Sequence, residues 1–72
     1  MTFSERLKIL RLEKSIKQID LAQSVDMSLR AYQYYENGNR EPTLSKLVAI
    51  ADFFDVSIDY LVGRTDNPAV NK

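Results

Sequence analysis

Four side chains near the middle of the chain have the types and spacing for recognition chemistry: Leu29, Arg30, Gln33 and Tyr34. At helical periodicity they fall on one face, while Tyr32, Tyr35 and Glu36 fall on the other. An arginine, an amide, a phenol and an apolar group together match what the DNA major groove displays, including the thymine methyl. An ordinary solvated helix face is the plainer alternative. A second cluster, Asp52, Asp55 and Asp59, would be the candidate for acid–base or metal chemistry. No nucleophile with a base, no glycine-rich phosphate cradle and no metal set accompanies it. The three carboxylates read better as residues that solvate one helix and cap the next, and the chain reads as non-enzymatic, with no cofactor.

The chain has 72 residues, with no cysteine and no histidine. Disulfides, zinc fingers and thiol or imidazole catalysis are therefore excluded together. A domain this small has to be held by close helix packing. The longest uncharged apolar run is Leu47 to Ala51, well short of the roughly 20 residues of a membrane span. No apolar signal core opens the chain, because Glu5, Arg6, Lys8, Arg11 and Glu13 interrupt it. A soluble protein of the cytoplasm is expected, without a membrane partner. Ten basic and ten acidic residues cancel, but residues 1–40 hold seven basic and five acidic. This weak basic bias permits a nucleic-acid partner without requiring one.

To position the 29–34 face, the periodicity predicts helices almost throughout. The first runs from about Phe3 to Lys14, with Thr2 and Glu5 as a capping box. Its inner stripe is Phe3, Leu7, Leu10 and Arg11. A short second helix from Gln18 to Val25 buries Leu21, Ala22 and Val25, and Asp26 marks a sharp turn. The third runs from Leu29 to Glu36 behind the N-cap Ser28, with Met27 and Tyr32 as a hydrophobic staple. Asn37-Gly38 ends it. The fourth opens at Thr43 and reaches Phe54, with Leu44, Leu47, Ile50, Ala51 and Phe54 inward. Ser57 caps a short fifth helix that Gly63 closes. Arg11 and Glu36 both fall on inward faces, where lone charges are costly, so each needs a partner. The expected fold is an all-α, compact five-helix bundle over residues 1–63, followed by a tail or linker over 64–72.

The stretch QIDLAQSVDMSLRAYQYYENG (18–38) resembles the helix-turn-helix of the lambda-type repressor and Cro family, also called the XRE family. The resemblance rests on Gln18, Leu21-Ala22 and Glu36-Asn37-Gly38. Pro42, Leu47/Ile50-Ala51 and Val56-Ser57-Ile58-Asp59-Tyr60-Leu61 extend it to nearly the whole of residues 2–63. It implies a lambda-repressor-like bundle whose helices 2 and 3 form the DNA-binding unit. By that resemblance, Gln18 and the amides opening the second helix hold a phosphate. Leu29, Arg30 and Tyr34 sit over base edges, with Ser28 and Gln33 at the margin. Asn37, Asn39 and Arg40 contact phosphates, and Arg11 pairs with Glu36. Departures from the family pattern are Ser15 and Asp26 at two usual glycine positions, and Lys17 where Ser or Thr usually precedes the glutamine. Lys46 opposes the dipole of its helix and reads either as a phosphate contact or as a surface charge.

The expected function is sequence-specific binding of double-stranded DNA by a transcriptional regulator, a repressor acting as a homodimer on a pseudo-palindromic operator. Tyr60, Leu61 and Val62 are expected to supply part of the dimer face, and no small-molecule ligand is evident. A protein-interaction module with the same fold but no DNA binding is the alternative. The chain reads either as a complete small repressor or as the front of a longer regulator.

Overall fold

Five helices and no strand are found among residues 1–69, the part of the chain that the computed structural model describes. They are α1 (Phe3–Glu13), α2 (Gln18–Ser24), α3 (Leu29–Glu36), α4 (Leu44–Phe54) and α5 (Ile58–Leu61). The expected all-α bundle is the observed one. Residues 70–72, the end of the expected tail, lie outside the described residues.

Hydroxyl side chains start four of these helices. Thr2, Ser28, Thr43 and Ser57 each accept a hydrogen bond from a backbone N–H in the first turn, and Glu5 completes the capping box of α1. Only α2 lacks such a bond, because Lys17 precedes it. All five helices stop in the same way. Ile16, Met27, Asn39, Val56 and Arg64 each donate their N–H back to a carbonyl five residues earlier. The residue just before each donor has a left-handed backbone: Ser15, Asp26, Gly38, Asp55 and Gly63, with φ between 54° and 82°. This is the Schellman arrangement, which satisfies carbonyls that the helix end would orphan. Glycine fills only two of the five positions, so Ser15, Asp26 and Asp55 carry the conformational cost of an L-residue there. At Gly63 no side chain fits, since a Cβ would stand 1.9 Å from the Met1 carbonyl oxygen.

The core is built from Leu7 and Leu10 of α1, Leu21 and Ala22 of α2, Tyr32 and Tyr35 of α3, Ile50, Ala51 and Phe54 of α4, and Leu61 of α5. Val25 and Val56, in the connections, complete it, with Phe3, Ile16, Met27 and Leu47 packed alongside. Two expectations need correction. Leu44 does not face inward: it is 72% exposed, because it is the first residue of α4 and lies beyond the edge of the bundle. Leu61 cannot supply a dimer face, because it is fully buried in the core. Tyr60 beside it is half-buried under Arg6, whose guanidinium carbon lies 3.8 Å from the ring centroid. After α5 the chain turns back along the bundle. The Pro68 carbonyl accepts the Ser57 N–H at 3.0 Å, and Asp66 lies 3.5 Å from the buried Arg6.

Candidate nucleic-acid interface

Between α2 and α3 the chain makes one tight turn, Val25 to Ser28, and the left-handed Asp26 (φ 58°) sets its direction. The side chain of Lys46 reaches this turn from the first turn of α4. Its Nζ donates to the carbonyl oxygens of Val25 and Asp26 at 2.8 and 3.1 Å. Neither expectation for Lys46 describes it: the cation sits at the carbonyl end of α2, where the helix dipole favours positive charge. It ties α4 to the helix–helix corner, offsetting what it costs at the start of its own helix.

On the inner side, α3 is fixed by Glu36. The side chain of Glu36 is 2% exposed, and each of its oxygens takes two donors. Oε1 accepts Arg11 Nη2 and Gln18 Nε2, both at 3.1 Å. Oε2 accepts Arg11 Nε at 2.5 Å and the Tyr32 hydroxyl. Arg11 also donates Nη1 to the Ile16 carbonyl at 3.0 Å, so the cation is shared by α1, the α1–α2 turn and α3. Burial alone would raise the Glu36 pKa, but the hydrogen bonds from Arg11, Tyr32 and Gln18 outweigh it and hold the group below its ordinary value. Burial is also the main reason that the Tyr32 hydroxyl is pushed well above its usual value, with the bond to Glu36 acting the same way.

The outer side of α3 carries the residues singled out for recognition. Arg30 is exposed, while Leu29, Gln33 and Tyr34 are half-buried. Ser28 is exposed at the start of the helix, and Asn37, Asn39 and Arg40 are exposed just beyond its end. The side chains form two linked groups. Gln33 Nε2 donates to Gln18 Oε1 at 3.2 Å, and Gln18 passes the connection inward to Glu36. Arg30 Nε donates to the Tyr34 hydroxyl at 3.1 Å, and the Arg40 guanidinium lies 4.7 Å from the Tyr34 ring centroid.

The structure thus brings Gln18 and Gln33 together, and Arg30, Tyr34 and Arg40 together. Ser28, Leu29, Asn37 and Asn39 lie beside them along the chain; the Ser28 hydroxyl accepts the Ala31 N–H at 3.1 Å as the N-cap, and the side chains of the other three make no hydrogen bond among the described residues. Sequence reasoning missed the role of Lys46 at the corner and the amide link from Gln18 to Gln33. The misplaced positive charge at Lys46 was the one available signal. No spacing rule joins positions 18 and 33.

A buried-side anchor, a tight corner and an outward face rich in arginine, amide and phenol define a helix-turn-helix domain. Residues 7–61 match the family model described as Helix-turn-helix, and the chain belongs to that family. It is 40% identical over 68 residues to the HTH-type transcriptional regulator YqaE of Bacillus subtilis, which covers 94% of this chain and 59% of that protein. It is 41% identical over 64 residues to the cryptic phage CTXphi transcriptional repressor RstR of Vibrio cholerae, covering 89% of this chain and 57% of the repressor. The chain therefore spans less than two thirds of the length of these relatives. Among solved structures, the P22 c2 repressor in complex with a synthetic operator superposes with a TM-score of 0.84 at 28% identity. That match covers 90% of this chain and 98% of the P22 chain.

Proposed function

We propose that this chain is the operator-reading domain of a transcriptional repressor that binds double-stranded DNA through α3 in the major groove. The observation that carries the proposal is the two-sided build of α3. Its inner side is fixed by Glu36, Tyr32 and Arg11, while its outer side presents Leu29, Arg30, Gln33 and Tyr34. A helix held this firmly can offer side chains to base edges without losing them to conformational freedom. The P22 c2 repressor, solved on an operator, has the same fold.

In this reading Arg30 donates to a guanine edge, the commonest specific pairing, and Leu29 packs on a thymine methyl. Tyr34 lies over the bases, with Ser28 and Gln33 at the margin. Asn37, Asn39 and Arg40 grip phosphates and set register. Gln18 has one Nε2 hydrogen left after its bond to Glu36, and that hydrogen with the first amides of α2 holds a phosphate. One short helix reads about half a turn of DNA, so we propose a homodimer on half-sites about one helical turn apart. The protein works in the cytoplasm, where its DNA is, and catalyses no reaction.

Selection from random duplexes tests the proposal directly. An enriched two-fold motif with half-sites about 10 base pairs apart is expected, with affinity falling steeply as salt is raised. Recovery of no motif, with salt-indifferent binding to a protein partner instead, would refute it.

A further inference from the structure

The two arginines on the outer surface are not independent, because one tyrosine stands between them. The Tyr34 hydroxyl accepts Arg30 Nε at 3.1 Å, and the Arg30 guanidinium carbon lies 6.0 Å from the ring centroid. The ring of the same tyrosine carries the Arg40 guanidinium at 4.7 Å, a cation–π distance. Arg30 comes from the first turn of α3, whereas Arg40 comes from the loop after it. Tyr34, one helical turn beyond Arg30, bridges the two.

The chemistry of each contact is specific. Occupying Nε leaves both Nη groups of Arg30 without a hydrogen bond among the described residues, and those two groups form the edge that fits guanine O6 and N7. A free arginine side chain loses rotamer entropy when it is fixed. A hydroxyl acceptor on the same helix face orders it beforehand. Tyr34 is half-buried, so the fold restricts its position before any ligand arrives. The ring face gives Arg40 a seat that an aliphatic side chain would not provide.

We infer that Tyr34 is a positioning residue: its hydroxyl aims Arg30 at a base, and its ring places Arg40 at the backbone, coupling sequence reading to phosphate grip. The inference rests on the operator-binding proposal and assigns separate duties to two parts of one side chain. The hydroxyl governs discrimination and the ring governs charge placement.

Tyr34→Phe and Tyr34→Leu separate these duties. The assay is binding to the selected operator and to variants of each base pair, with the salt dependence recorded for every protein. For Tyr34→Phe, preference at the Arg30 base pair falls roughly five- to tenfold, the low end of the range of one bidentate contact, and the salt slope is unchanged. For Tyr34→Leu the same preference falls, and the salt slope also drops by about 0.9, the value of one phosphate contact. In an Arg30→Ala background, Tyr34→Phe has no further effect on discrimination. Wild-type base preferences in Tyr34→Phe, a uniform loss across all base pairs, or an additive effect in the Arg30→Ala background would each overturn the inference while leaving operator binding intact. If the wild-type chain itself shows neither an enriched motif nor salt dependence, operator binding fails, and the inference falls with it.

Discussion

Replacing Glu36 with glutamine changes no volume and removes one charge, yet its consequences should be large. Each carboxylate oxygen accepts two hydrogen bonds, from Arg11 and Gln18 on one side and from Arg11 and Tyr32 on the other. Whichever oxygen becomes an NH2 group, two donors then point at a donor. Arg11 also loses its counter-ion, although its side chain is only 12% exposed. Removing one partner of a buried pair typically costs about 3–5 kcal/mol. Because Arg11 keeps the Ile16 carbonyl and slight solvent access, the lower end, about 3 kcal/mol, is expected here. A 72-residue domain has roughly 4–11 kcal/mol in total, so this single change takes a large share. At about 4–8 °C per kcal/mol for a domain of this size, the melting temperature should fall by about 12–24 °C. Thermal unfolding followed by circular dichroism at neutral pH measures it. A Glu36→Gln protein that melts within about 2 °C of the wild type would show that the four hydrogen bonds do not hold α3, and the reasoning about the anchored helix would fail with them.

Other predictions concern pH, the corner and the outer face. The Glu36 carboxyl titrates lower in the folded protein than in the unfolded chain, so the stability it contributes is complete above the ordinary carboxylate value of 4.5 and is lost as pH falls through that value toward its lower folded one. Unfolding midpoints measured from pH 7 down to pH 3 should therefore decline more steeply in the wild type than in Glu36→Gln; parallel curves would contradict this. Lys46→Met keeps the aliphatic stem but removes two hydrogen bonds to the Val25 and Asp26 carbonyls. It should destabilise by about 1–3 kcal/mol in urea titration, and an unchanged midpoint would show the clamp to be idle. Asp26→Gly should stabilise by about 0.5–1 kcal/mol, because glycine adopts the φ of 58° without the strain of a Cβ; a lower melting temperature would count against that account. In operator binding, Arg30→Ala should cost roughly 1–3 kcal/mol and blur one base pair, whereas Arg40→Ala should weaken all sequences alike. Identical base profiles for the two variants would contradict the proposed division of roles.

Local signals explain why so much of the bundle was legible. Thr2, Ser28, Thr43 and Ser57 each precede an apolar run, and each is an observed N-cap. Such caps act within three residues, so the chain order contains the whole interaction. Inward residues such as Leu7, Leu21, Tyr32 and Ile50 follow from the 3.6-residue period in the same way. Leu44 shows the limit: its spacing places it on the inner stripe, but a residue at a helix end is covered only if another element reaches that far, and none does.

The sequence by itself determined the helices, their caps, the sharp turn at Asp26 and the two faces of α3, because these depend on interactions across one helical turn. The tertiary structure alone decided how those parts meet. Lys46 finds the Val25 and Asp26 carbonyls from 21 and 20 residues away, Gln18 links Gln33 to Glu36, and Arg40 settles on the Tyr34 ring. Such contacts depend on where flexible side chains end up after the helices have packed. Distance along the chain does not encode that position, and only the assembled core fixes it.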